Sequence, residues 1–184
     1  MAESKGTLFL SAKLYADKEL GADAVQDAMA QLSDADRELL DAVVAVGWYP
    51  LEPIMRFHHI LDRDYGRGDL SLCYEIGRFA AAWQLNAFHK FVLKFKQPRW
   101  MLQKASSLWS TYHDSGRWEV GEPEPGMMRG CLYDFAIVDP AFCKREMGWF
   151  ARAIELTGGK LLTIDEPRCR SRGDECCEYV GHWS

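Results

Sequence analysis

No stretch of this chain approaches the roughly twenty consecutive apolar residues that a membrane-spanning helix needs, which excludes a spanning role. The first ten residues, MAESKGTLFL, lack the charged n-region, long apolar stretch and small-residue cleavage site of a secretion signal, so a cytoplasmic location is expected. Positive charge is never gathered into a block. The 22 Lys and Arg are scattered among 27 Asp and Glu, the net charge is −5, and no electrostatic footprint for nucleic acid results. Catalytic-serine, phosphate-loop, dinucleotide and CxxCH haem-attachment signatures are missing. So are internal repeats, low-complexity tracts and long linkers.

What the chain does have is apolar bulk. Of its 184 residues 48% are hydrophobic, including seven Trp, nine Phe and seven Tyr, enough to bury a continuous core. From Ser11 to Val44 the apolar spacing is helical but interrupted, stopping at Gly21 and restarting where Ser33 and Asp36 form a capping-box pattern. GWYPLEP breaks the pattern at Gly47 to Pro53, a short helix covers Ile54 to Asp62, and the loop DRDYGRGD follows. Leu70 to Phe95 is the longest periodic segment, with Cys73, Ile76, Ala80, Trp83, Ala87 and Phe91 on one face. Gln97-Pro98 ends it, and another helix is expected over Arg99 to Tyr112.

The texture then changes. Strands are expected at Arg117 to Gly121 and Met127 to Ile137, joined by a turn holding EPEPG. Asp139-Pro140 opens a helix that runs to about Leu156, with the carboxylate as N-cap and Gly158-Gly159 as the stop. Lys160 to Glu166 and Cys177 to Trp183 complete a β-α-β-β order. The fold class is therefore α+β, an antiparallel sheet with packed helices preceded by an N-terminal helical region. Residues 1–112 form that helical region, packed on the core, and 113–184 form the C-terminal module, the two making one compact unit.

Six cysteines in a cytosolic chain point to buried thiols, catalysis or metal ligation rather than to disulfides. Cys143 lies in the first turn of its helix, on the face shared by Met147, Phe150, Ala151 and Ile154. There the unpaired amides favour an anion and are expected to lower a thiol's pKa. Alternation puts Leu162, Ile164 and Glu166 on one face of the next strand, ending an apolar row in a carboxylate that is costly to bury alone. Cys169 follows three residues later and Cys177 eight after that, with Gly173-Asp174 able to make the turn between them. Cys143, Glu166, Cys169 and Cys177 thus offer three thiols and a carboxylate, a four-ligand set of the kind zinc prefers. On residues alone this competes with plain packing, since most free cysteines are small buried hydrophobes. Cys73 and Cys131 read as core. Cys176 points away from Cys177, and a vicinal disulfide between them would be strained.

The stretch Pro140 to Trp183, PAFCKREMGWFARAIELTGGKLLTIDEPRCRSRGDECCEYVGHW, resembles the 4-vinyl-reductase domain, a small-molecule-binding module related in fold to Bet3-type tethering subunits and, more distantly, to haem-based nitric oxide sensors. The hallmark elements stand here as Glu166, Cys169, Gly173-Asp174 and Cys177, with Cys143 at the position of a further cysteine ligand. The resemblance implies a structural Zn2+ held by these four residues, an antiparallel sheet with helices packed on it, a homodimer formed through the helical region, and a hydrophobic small molecule as ligand.

Trp83, His89, Trp109, Tyr112 and Trp118 offer an apolar pocket with a polar handle, against the plainer reading of aromatics at helical spacing as core. His58 and His59 diverge by about 100° on a helix and read as surface or satisfied core. Glu122 and Glu124 read as solvated, and Arg172-Gly173-Asp174 as the shaper of a hairpin. The expected function is a non-enzymatic, zinc-stabilised sensor of a hydrophobic small molecule acting through a signalling protein partner. Four protein ligands would leave the metal no open position for catalysis. The alternatives are an enzyme or accessory of the vinyl-reductase type, acting on a tetrapyrrole-like substrate with a hydride donor supplied from elsewhere, and a ligand-free interaction scaffold.

Overall fold

The computed structural model describes residues 2–88, 97–121 and 124–184. The chain opens with a short strand β1 (Glu3–Lys5) and helix α1 (Gly6–Tyr15), which passes through a π-helical turn (Ala16–Leu20) into α2 (Ala22–Ala30). Helix α3 (Asp34–Ala42) begins at Ser33, whose hydroxyl accepts from the Asp36 amide at 3.2 Å. The Asp36 carboxylate does not close a capping box; it takes a two-pronged bond from Arg56 at 2.7 and 2.8 Å. Those bonds hold it below the usual carboxylate range. Strand β2 (Trp48–Pro50) pairs antiparallel with β1. Such three-residue strands carry too little alternation to be read from sequence.

Helix α4 (Glu52–Tyr65) is followed by a tight loop clamped by Asp62, whose two carboxylate oxygens accept from the amides of Leu70 at 2.8 Å and Leu72 at 2.9 Å. Leu70 sits at φ +65°, a conformation that side chains rarely adopt, so the clamp holds a strained entry into α5 (Ser71–Phe88). The rest of the helix expected there, with His89 and Phe91, lies outside the described residues, as does Glu122. Glu124 is exposed.

After α6 (Pro98–Tyr112) come β3 (Arg117–Val120), β4 (Met127–Tyr133), α7 (Pro140–Leu156), β5 (Leu161–Arg168), a single 3-10 turn (Arg170–Arg172) and β6 (Cys177–Trp183). The four strands form one antiparallel sheet in the order β3-β4-β6-β5. The α+β class holds, with helices packed on that sheet. Strand β4 stops short of Ile137 because Asp134 turns to φ +55°. Leu162 does not share the inward row with Ile164 and Glu166. The register with β6 shifts between Leu161 and Thr163, and Leu162 is 59% exposed; a bulge of this kind breaks the two-residue period.

Helix α7 starts as expected, with the Asp139 carboxylate accepting from the Ala141 amide at 2.8 Å and Pro140 in the first turn. It ends at Gly158, which takes φ +95°. Its burial exceeds one face: Cys143, Met147, Ala151 and Ile154 are buried, and so are Phe142, Arg145 and Glu146. The cause is α5, which packs along α7 while the sheet covers its other side. Gly77 and Gly148 make this approach possible. A Cβ on Gly77 would lie 1.9 Å from the Arg145 carbonyl oxygen, and one on Gly148 1.9 Å from that of Tyr74.

Candidate functional site

The helix start, the end of β5 and the start of β6 bring together the four residues singled out from the sequence. One donor atom from each of Cys143, Glu166, Cys169 and Cys177 lies within 4.8 Å of the others. The sulfurs of Cys143 and Cys177 are 3.5 Å apart, those of Cys143 and Cys169 3.6 Å, and those of Cys169 and Cys177 3.9 Å. The Arg-Gly-Asp turn shapes this arrangement. Gly173 takes φ +95°, Asp174 accepts from the Cys169 amide at 2.7 Å, and Arg172 donates to Glu166 at 3.2 Å through its side chain and 2.7 Å at its carbonyl. The second carboxylate oxygen of Glu166 is buried without a partner.

The electrostatics differ from what the helix dipole alone suggests. Cys143 donates its S–H to Cys177, which together with burial pushes its own pKa far up. Cys177, receiving that bond and one from the Arg170 amide, is lowered to about 6. Burial raises Cys169. The three sulfurs thus lie within proton-sharing distance of one another, and a guanidinium meets the carboxylate.

Cys73 and Cys131 are buried, as expected. Cys176 faces away from the cluster, toward Cys131 and Tyr133, and burial lifts it to about 11. His59 is exposed and paired with Asp139 at 2.9 Å. His58 is fully buried; its Nδ1–H donates to the Ile54 carbonyl at 2.7 Å while Nε2 has no partner, so it is only half satisfied.

A second centre lies between the N-terminal strand and helix, α5, α6 and α7. It is a cavity of about 90 Å³ walled by Trp109, Tyr112, Trp118, Trp149 and Phe150. Three of these five aromatics stood among the sequence candidates. Trp83 does not line the cavity, and His89 lies outside the described residues. The indoles are held by their N–H groups: Trp109 donates to the Ser115 carbonyl at 2.7 Å and Trp149 to Gln84 at 2.9 Å. His113 stacks on Trp109 with centroids 3.9 Å apart and shares a 2.6 Å hydrogen bond with Ser4. Burial lowers it to about 3.

The same wall holds a buried ion pair that sequence reading missed, Arg145 with Glu146 at 2.6 Å. Their side chains are 3% and 8% exposed. Burial lowers the arginine's pKa and raises the glutamate's. The arginine Nε–H has no acceptor. Charged residues on a helix read as solvated unless the partner helix is known, so no signal in the sequence exposes this pair.

No protein-family model and no curated protein matches this chain. Solved structures do. An H-NOX protein from S. oneidensis in the Fe(II)NO state shares 13% identity at a TM-score of 0.77, covering 98% of this chain and 99% of that one. An unliganded Fe(II) H-NOX mutant from K. algicida shares 12% at 0.76, covering 98% and 96%. A third, described by the modulation of haem redox potential through porphyrin distortion, shares 11% at 0.64, covering 97% and 99%. The fold is that of the H-NOX proteins.

Of the three relationships in the resemblance, the haem-based sensors are the one this likeness supports; the 4-vinyl-reductase and Bet3-type names find no support in it. The zinc cofactor is corrected by the same comparison, because the proteins that share the fold are described with iron and haem. Haem in turn does not fit the cavity formed by the described residues. Its roughly 90 Å³ falls well below the ~300–1,000 Å³ of pockets for drug-sized ligands. The one histidine on that wall among the described residues, His113, is tied to Ser4 and stacked on Trp109.

Proposed function

We propose that this chain is a non-enzymatic sensor domain that binds a small molecule in the aromatic cavity and passes its occupancy to a partner protein. The observation that carries this reading is the cavity itself, which is walled by oriented indole rings and holds a buried charged pair, the form expected of a small-molecule site. The H-NOX-like fold supports it, since a structure sharing that fold is described in an NO-ligated state. The helical part (1–112) and the C-terminal module (113–184) act as one unit in this proposal, because α5 of the first packs along α7 of the second. Pairing of two such chains through the helical part belongs to the same proposal.

Cys143, Glu166, Cys169 and Cys177 are the proposed metal-ligand set, on the convergence of their donor atoms and the free buried oxygen of Glu166. No ion is assigned to it. Elemental analysis of protein purified without added metal tests that part, and absence of any stoichiometric metal removes it.

Native mass spectrometry of the protein as purified from cells tests the sensor reading. The expected result is a small organic mass that is lost when Leu108, on the cavity wall, is replaced by Trp. An empty protein that no member of a fragment library stabilises rejects the reading.

A further inference from the structure

Two thiols remain that neither the donor cluster nor the aromatic cavity uses. Alternation along β4 and β6 sorts them by face. Leu132 pairs with Cys177 and Gly130 with Tyr179, and Tyr179 meets Phe150 of α7, so that set looks inward. Cys131, paired with Glu178, looks the other way, and so does Cys176, which comes one residue before β6 begins. The two are therefore diagonal neighbours on the outer face of the sheet, within reach of one another. Their side chains share a hydrogen bond, and Tyr133 bonds to both sulfurs.

What lies over the pair is a side chain. Arg168 donates from Nη2 to the Cys131 sulfur at 3.4 Å and from Nε to Glu178 at 2.9 Å, and its own side chain is 44% exposed. Cys131 keeps 8% of its surface open while Cys176 keeps none. Swinging one guanidinium aside thus bares the first sulfur, with the second directly behind it. Cys176 also stands outside the strand ladder, so its backbone is free to close to the ~3.5–4.5 Å between Cβ atoms that a disulfide needs.

We propose that Cys131 and Cys176 are a redox-active dithiol that closes to a disulfide on meeting a small-molecule disulfide. The Cys131 thiolate attacks one sulfur of RSSR, the S–S bond of RSSR breaks, and one RS⁻ leaves a mixed disulfide behind. The Cys176 thiolate then attacks the Cys131 sulfur and expels the second RS⁻. Two cysteine thiols give up two electrons and two protons, and RSSR becomes two RSH. The Arg168 guanidinium stands beside the sulfur that carries negative charge in the first step, the kind of setting in which cysteines react. This site goes beyond the sensor reading and does not depend on it.

The test exposes the reduced full chain to glutathione buffers of rising disulfide fraction and reads the intact mass. The expected product has lost two hydrogens and carries no glutathione. Cleavage at Asp134 and Asp139 separates Cys131 from Cys143, fragment ions separate Cys176 from Cys177, and the bridge should map to Cys131 and Cys176. Dithiothreitol should restore both thiols. Cys176→Ser should abolish this bridge and leave one stable glutathione on Cys131. Mapping on the unaltered chain decides the assignment even where that variant fails to fold. Thiols left untouched at every buffer ratio, a glutathione adduct on Cys131 that never closes, or a bridge confined to Cys143, Cys169 and Cys177 overturns it.

Discussion

Gly148 of α7 meets the Tyr74 carbonyl of α5 so closely that a Cβ at that position would stand 1.9 Å from the oxygen. The obstacle is backbone, which cannot rotate away as a side chain can. Gly148→Ala should force the two helices apart, and because this crossing also buries Arg145 and Glu146, the cost should reach about 3 kcal/mol or more, at or beyond the upper end for overpacked sites. Urea denaturation measures it. A loss below about 1 kcal/mol would mean that the crossing is slack.

Asp62 provides a second point where one side chain governs the backbone. The residue is 1% exposed, and its carboxylate serves the amides of both Leu70 and Leu72. Asp62→Ala should leave two donors without acceptors and release the strained Leu70, lowering stability by about 2–4 kcal/mol. Leu70→Gly, relieving the φ of +65°, should recover part of that loss in the double variant. Failure of the second substitution to help would separate the clamp from the strain.

His58 and His113 make stability depend on pH. Both are buried and neutral, with pKa values pushed down to about 3 from 6.5 chiefly by burial, and secondly, for His113, by the nearby charge of Arg145. The unfolded chain therefore binds protons that the folded chain refuses between pH 6.5 and about 3. Stability is full above pH 6.5 and lost as pH falls, on the order of 2 kcal/mol per histidine by pH 5. Denaturation midpoints at pH 7 and pH 5 give the loss directly. His58→Gln should make it about half as steep; an unchanged slope would assign the acid sensitivity elsewhere.

The element order from Arg117 to Trp183 was legible because its signals are local: a carboxylate and a proline opening α7, a glycine pair closing it, and alternation along β6. The convergence of Cys143, Glu166, Cys169 and Cys177 was legible in part: helix start, strand and turn could bring the four positions together, but on residues alone this competed with plain packing, and the resemblance supplied the preference. What escaped was whatever depends on a distant element. Arg145 and Glu146 are buried because other helices pack on α7, α5 foremost through the close approach at Gly77 and Gly148, and the spacing along α7 does not encode that. The Cys143 thiol was expected to be acidified by its helix, but it lies against a second sulfur, and sharing a proton with Cys177 outweighs the dipole. Leu162 was misplaced because a bulge leaves no mark in an apolar-polar alternation.

Arg172 spans the hairpin to reach Glu166, whose side chain is 7% exposed while the arginine's is 50% exposed. Arg172→Ala should cost about 1–2 kcal/mol, between the value of an exposed pair and that of a charged hydrogen bond to a buried acceptor. Thermal melts in the presence of a chelator isolate this contribution from any bound ion. A null result would show that solvent replaces the guanidinium at no expense.

Strand β1 is tethered on two sides, pairing with β2 along its length and meeting α6's exit where Ser4 joins His113 and the Glu3 amide donates to Asp114 at 2.9 Å. Lys5, Thr7 and Leu8, on or just beyond it, form one wall of the aromatic cavity. A protease nick in that wall would unroof the chamber while leaving the four-stranded sheet whole, and the rate at which the leading segment is clipped thus becomes a gauge of whether the chamber is filled.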